Sequence, residues 1–238
     1  MLGVVGEAEA RGNLAARLRA AGAAVETGDA GAVLAADPAV AVAVGETAVV
    51  DLVRAGVDVP VLPVGEVPGL PAMRADDVPA AAGRLRDGDV ETRSHRLLAV
   101  DAAGSDVGAA AFDVLLVRSE PGRISEYSLV DEERRSRFRA DGVVAATPAG
   151  SHGYAHAAGG PRLSLDADAV AVVPVAAFGL GAPSWVVTPD DGLTLRVERD
   201  EGDVSVVVDG RERRRLAGRA AVSLTPGDTF RTVTLAGT

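Results

Sequence analysis

The densest chemistry in this sequence is a run of small and polar residues from Asp141 to Pro161, which reads DGVVAATPAGSHGYAHAAGGP. Asp141-Gly142 opens it, a Thr-Pro turn follows, and then come Gly150-Ser151-His152-Gly153-Tyr154 and Gly159-Gly160-Pro161. Small side chains at that density let backbone N–H groups come close to a ligand. A helix starting after Ser151 would aim its positive N-terminus at an anion. On residue types alone the run is either a nucleotide pocket or a set of turns between strands. His152 and His156 have the spacing at which two imidazoles on one helix face share a metal ion. No third ligand lies near them in the sequence, and ligand contact is the role assigned to His152; His95 falls in a strand-like run and reads as structural.

Two kinds of element must hold that run. Residues 2–5 form a short apolar strand closed by Gly6, residues 8–21 place Leu14 and Leu18 at helical spacing, and residues 23–25 are a second short apolar run. Residues 33–36 read as a helical turn, 39–44 as a buried strand ending at Gly45, 48–55 as a helix, 59–64 as a strand ending at Gly65, and 78–85 as a helix. Alternating strands and helices build a parallel sheet with right-handed crossovers, active at the edge where its strands end. The pattern changes at the Arg86-Asp87-Gly88-Asp89 turn. Beyond it, strand-like runs at 92–101, 113–119, 169–175, 184–188, 193–199, 203–209, 220–224 and 230–235 are separated by Gly, Pro and Asp. The expected fold class is α/β plus all-β: a small parallel-sheet α/β domain over residues 1–88, then a mostly β domain over 89–238, with a return of the last strand to the first domain left open.

Nearly half of the 238 residues are apolar, mostly Ala, Val and Leu, enough for a core of small side chains. The net charge is −10, and every one of the 24 basic residues is Arg. Compact acidic charge without lysine is what a salt-rich cytoplasm selects, or a GC-rich genome through its codons, and a halophilic protein is the expectation. Spread negative charge argues against a nucleic-acid partner. The basic cluster 211–215, interrupted by Glu212, reads as a solvated turn. The absence of Cys excludes disulfides, thiolate metal sites and a Cys nucleophile. Residues 1–5 carry no basic leader, and no run of about 18 apolar residues could span a bilayer, so a cytoplasmic protein with no membrane partner is expected.

The run from Asp141 to Pro161 closely resembles the signature of the NAD kinase family, which reads DG, then TPTGSTAY, then SAGGP. Gly88-Asp89 and residues 93–98 are similar to the family's entry into its β domain, and Asp209-Gly210 to a late turn. The resemblance implies transfer of the terminal phosphate of ATP, or of polyphosphate, to the 2′-hydroxyl of the adenosine ribose of NAD, giving NADP. It also implies a homo-oligomer, dimer or tetramer. A ribose hydroxyl is a poor nucleophile, so a carboxylate takes its proton while a divalent cation, usually Mg²⁺, offsets phosphate charge.

In the family that carboxylate is the Asp of a Gly-Gly-Asp-Gly loop set after an apolar strand. Aligning the strands puts Val44 and Gly45 at the two glycines, Glu46 at the acid and Thr47 at the glycine that follows. The resemblance therefore assigns catalysis to Glu46, and phosphate binding to Gly45 and to Gly69 in a second glycine loop at 63–70. It assigns NAD binding to Thr47, Phe112, Asp113, Arg139, Asp141, His152, Gly153, Tyr154, Ala157 and Arg211, and no metal-ligating residue. Phe112-Asp113 stands where the family has Asn-Glu, His152-Gly153 replaces Thr-Ala, and Ala157 replaces a Ser. Three readings stay open: an active NAD kinase, a catalytically impaired homologue that binds a nucleotide as a regulatory or assembly subunit, and a kinase for another hydroxylated substrate.

Overall fold

The computed structural model describes residues 1–119, 124–131, 135–178, 183–190, 192–199 and 202–234. In chain order the elements are β1 (Leu2–Gly6), α1 (Ala8–Ala20), β2 (Val25–Thr27), α2 (Ala30–Ala35), β3 (Val40–Val44), α3 (Glu46–Arg54), β4 (Val61–Val64), α4 (Val78–Asp87), β5 (Glu91–Ala102), β6 (Asp106–Ala110), β7 (Asp113–Arg118) and β8 (Ser125–Val130). They continue with β9 (Arg135–Ala140), β10 (Gly142–Ala146), α5 (Tyr154–Ala157), β11 (Val170–Val175), β12 (Trp185–Val187), β13 (Leu193–Val197), β14 (Val204–Val208), β15 (Arg211–Leu216) and β16 (Ala221–Thr234). The chain divides into two compact units, one of Met1–His95 with the chain from Thr229 onward, the other of Arg96–Asp228.

In the first unit the parallel strands run in the order β2-β1-β3-β4, and the end of β16 joins β4 in parallel at Thr232 and Val61. Strands of Val, Leu and Ala with both faces covered are what a parallel sheet between helix layers requires. Leu14 and Leu18 of α1 and Val78, Ala82 and Leu85 of α4 share a core with Val4, Val42 and Leu62. That same core explains the spacing of Leu14 and Leu18, which point to one side of α1. His95 lies in this unit, buried, with Nε2 2.7 Å from Thr232 Oγ1.

The second unit is a β sandwich. One sheet runs β12-β11-β10-β7-β14-β15, and in the other β16 is followed by β13, β8 and β9. Their inner faces meet in one core that includes Leu98, Leu116, Tyr127, Val143, Leu195, Val206 and Leu224. Tyr127, Phe138 and Trp185 form an aromatic row through it, with ring centroids 6.0 and 5.2 Å apart.

The α/β and mostly β architecture agrees with the expected fold class. The last residue of the expected final strand, Leu235, lies outside the described residues. Residues 211–215 are a correction: they form strand β15 at the edge of the first sheet, paired with β14, and the turn lies before them at Asp209-Gly210. An edge strand leaves one row of backbone groups unpaired, and charged side chains along it discourage pairing with another sheet. Composition alone reads such a strand as solvated loop.

Candidate functional site

The Asp141–Pro161 run is built into the sandwich at its start and emerges from it at Thr147. Gly142–Ala146 form β10, entirely buried between β7 and β11. Small residues here serve packing inside the sheet, not ligand approach. Thr147 then fastens the run to residues 111 and 112: its N–H donates to the Phe112 carbonyl at 2.8 Å, its Oγ1–H to the Ala111 carbonyl at 2.8 Å, and the Gly150 N–H donates back to Oγ1 at 3.1 Å. Ser151, fully buried, donates to the Pro148 carbonyl at 2.7 Å and accepts from the Leu163 N–H at 2.8 Å, closing residues 148–163 on themselves.

The glycines divide into two kinds. A Cβ on Gly150 would meet the Phe112 carbonyl oxygen, and one on Gly160 would fall 2.8 Å from the Ala155 carbonyl oxygen, so both are small because protein backbone passes beside them. Gly159 faces open space instead, and a Cβ on Gly153 would make only an ordinary contact with the Gly150 carbonyl oxygen at 3.6 Å, so these are the positions a ligand can approach. The expected helix after Ser151 is a single 3-10 turn at Gly150–His152 followed by the four residues of α5. The break at Gly153 sends the two histidines to different partners: His152 Nε2 lies 3.0 Å from the Leu163 carbonyl oxygen and His156 Nδ1 3.2 Å from that of Gly160. Among the described residues no three His, Cys, Asp or Glu side chains are grouped to hold a metal ion.

Of the residues assigned to NAD, all but Thr47 lie in the second unit with this run. Phe112 is buried at 4 % exposure, and its backbone meets the run. Asp113 begins β7 beside Ala146. The Asp141 carbonyl accepts from the Tyr127 hydroxyl at 3.3 Å, and burial pushes that phenol far above its ordinary range. Arg139 is exposed, with its guanidinium 5.6 Å from the Phe178 ring centroid. Tyr154 is 46 % exposed for a large aromatic, and Ala157 is exposed one turn further along. Arg211 opens β15 immediately after the Asp209-Gly210 turn.

That turn contains the residue sequence reasoning passed over. The Asp209 carboxylate accepts N–H groups from Ala111 at 2.8 Å, Phe112 at 2.8 Å and Asp113 at 3.0 Å, while its own N–H donates to the Asp113 carbonyl at 3.0 Å. Burial pushes its carboxyl up, against those three N–H groups and the Arg213 guanidinium, which favour the charged form. Asp209 sits at φ 47°, a left-handed conformation that Asp tolerates better than most side chains. An Asp-Gly pair between two apolar runs signals a turn, and nothing in it signals the three donors reached from afar.

In the first unit, Gly45, Glu46 and Thr47 border a crevice of about 790 Å³ together with Gly6, Arg11, Asp51 and Arg54. The chain leaves β1 toward β2 and leaves β3 toward β4, on opposite sides, so the crevice lies where the strand order reverses, at the carboxyl ends of β1 and β3. Gly45 takes φ +85° as the N-cap of α3, and nothing lies within 4 Å of a Cβ there, so conformation rather than space requires glycine. Glu46 is exposed in the first turn of α3, where the helix end favours an anionic side chain. Arg11 spans the crevice wall, its Nη1 donating to the carbonyls of Gly6 at 3.3 Å and Gly28 at 3.0 Å. Gly69, at φ +78°, is not among the lining residues.

Solved structures place the architecture. A crystal structure of an NAD kinase from Archaeoglobus fulgidus in complex with ATP matches with a TM-score of 0.79, covering 98% of this chain and 94% of that one at 17% identity. Yeast NADH kinase complexed with NADH matches with a TM-score of 0.81, covering 99% of this chain and 84% of that one at 15% identity. The fold is that of the NAD kinases. A family model described as ATP-NAD kinase C-terminal domain matches residues 113–234, slightly more than half of the chain, and the chain belongs to the NAD kinase family. Among curated relatives, the NAD kinase of Methanopyrus kandleri is 34% identical over 172 residues, 71% of this chain and 62% of that protein. That of Methanosarcina barkeri is 34% identical over 114 residues, 48% of this chain and 42% of that protein. The chain thus spans less than two thirds of the length of these relatives.

Proposed function

We propose that the protein phosphorylates the 2′-hydroxyl of the adenosine ribose of NAD, with ATP or polyphosphate as donor, giving NADP. The observation that carries this reading is Glu46, an exposed carboxylate in the first turn of α3, reached through a left-handed glycine and bordering a crevice at the strand-order reversal. In the reaction the 2′-oxygen attacks the terminal phosphorus, the bond from that phosphorus to the bridging oxygen breaks, and the shortened donor leaves. Glu46 takes the proton of the hydroxyl. The Asp141–Pro161 run binds the dinucleotide, with Tyr154 exposed for stacking and Gly159 open to phosphate or sugar.

A divalent cation fits the residues present in one mode. No cage of three protein ligands exists among the described residues, whereas Asp51, distinct from the base Glu46, lines the crevice. Mg²⁺ held by one or two carboxylates and otherwise by donor phosphates and water needs no more than that. When bound it neutralises charge on the transferred phosphoryl group.

The second reading, a catalytically impaired homologue acting as a regulatory or assembly subunit, is favoured by Val44 and Thr47. These β-branched side chains stand where the family signature has glycine, and they narrow backbone freedom beside the acid. One assay separates the two readings. The protein is incubated in molar KCl, suited to a chain of net charge −10, with NAD, Mg²⁺ and either ATP or polyphosphate, and NADP is measured. NADP formation lost in Glu46→Gln supports the kinase; NAD binding without NADP overturns it in favour of the second reading. Size-exclusion chromatography in the same buffer tests the expected dimer or tetramer.

A further inference from the structure

A chain of net charge −10 concentrates five arginines around one groove of about 520 Å³ in the second unit. Arg196 stands on β13, Arg135 begins β9, Arg214 and Arg215 lie near the end of β15, and Arg219 sits in the turn before β16. Four of the five are therefore on strands, whose pairing fixes where the charges are held. The groove's one lining carboxylate, Glu198, is already engaged. It accepts from Ser128 Oγ at 2.6 Å and pairs with Arg135 at 3.2 Å and Arg137 at 3.7 Å. Arg215 pairs with Glu212 at 2.8 Å. Among the described residues, no hydrogen bond or ion pair engages the side chains of Arg196, Arg214 or Arg219.

Arginines in excess of the carboxylates beside them repel one another, and an anion placed among them reverses the sign of that energy. The guanidinium fork matches phosphate oxygens two at a time. The remaining lining is Val197, Leu216 and alanines, with no aromatic ring to stack on a base and no side-chain amide to read one. The groove shares no lining residue with the Glu46 crevice or with the Asp141–Pro161 run.

We propose that this groove is a second anion site, binding a condensed phosphate chain through its phosphates alone. The same chemistry is offered by a free inorganic chain and by the triphosphate of a nucleotide, and the absence of base-reading groups favours the free chain. The assignment does not depend on kinase activity.

The test is calorimetric titration of the full chain at the lowest KCl at which circular dichroism shows it folded, without divalent cation, using sodium tripolyphosphate in one arm and ATP in the other. Tripolyphosphate binds, Arg196→Gln and Arg214→Gln each weaken it by about tenfold, and raising KCl weakens it in the wild type. Glu198→Gln, which removes the lining carboxylate, tightens it, a gain that loss of folding cannot imitate. Absence of tripolyphosphate binding, or binding untouched in both arginine variants, overturns the proposal. So does ATP binding that is lost in those variants and is tighter than that of tripolyphosphate, which would make the groove a nucleotide site. Binding is read without turnover, so failure here leaves the kinase reading standing, and the reverse.

Discussion

Gly150 passes so close to Phe112 that a Cβ built on it would lie 1.9 Å from the Phe112 carbonyl oxygen and 2.4 Å from the carbonyl carbon. Neither neighbour is the far end of a flexible side chain, so the backbone itself must move to admit one methyl group. Gly150→Ala is expected to destabilise the protein by about 1–3 kcal/mol and to loosen the Thr147 contacts that join the run to residues 111 and 112. Gly153→Ala, whose Cβ would come no closer than 3.6 Å to the Gly150 carbonyl oxygen, leaves stability nearly unchanged. Urea unfolding of the two variants compares them directly; equal losses would show that the close approach is not what requires glycine.

Asp209→Ala orphans three N–H groups at once, and a loss of more than about 2 kcal/mol is expected. The pH dependence has a definite sign. Burial raises the folded carboxyl above its unfolded value near 3.8, so the folded state holds the proton more tightly. The stability this residue adds is full below that value and is lost as pH rises through the raised one. Relative to Asp209→Asn, whose side chain does not titrate, the wild type therefore has its largest advantage at the acid end of the range. Unfolding curves collected upward from about pH 4 check this, and an advantage that grows with pH would contradict it.

Glu198 behaves in the opposite sense. The Ser128 hydroxyl, then Arg135 and Arg137, hold its carboxyl below the usual value. Its contribution is present above the unfolded value and is lost as pH falls through the lowered one. Glu198→Gln should flatten the acid limb of the wild-type stability profile. Identical limbs in the two proteins would show that these contacts add nothing at this site.

Glu46→Asp tests reach rather than charge. The shorter side chain withdraws the carboxylate by roughly 1 Å, a displacement worth about a hundredfold in rate. On the kinase reading, the expected outcome is a fall in kcat with KM for NAD little changed. A fall in NAD affinity with kcat preserved would place Glu46 in binding instead.

The parts of this fold that repeat at short range are legible in the sequence. The β1-α1-β2 unit, β3 ending at Gly45 and the change of pattern near residue 88 follow from local periodicity and from Gly and Asp punctuation. The β15 edge strand is not legible, because Arg and Glu at an edge look the same as Arg and Glu in a loop until a partner strand is known. Residues 142–146 mislead for a related reason: Gly and Ala suit a ligand's approach and a crowded central strand equally well. Of the candidate site, Glu46 and the Asp141–Pro161 run stand out by type and order. Asp209 does not, since its importance lies in residues 96 to 98 positions earlier.

That separation also governs the order in which the protein can be finished. Strand β7 and the turn before it leave the ribosome long before Asp209 does, and until Asp209 follows, the N–H groups of Ala111, Phe112 and Asp113 can bond only to water or to transient partners. Closing a loop of that length is slow compared with forming a helix. The Ala111–Asp113 edge of the sandwich is therefore among the last features of the nascent chain to set, and a chain released before residue 209 keeps the sequence signature of its family without the clamp that holds its neighbouring turn.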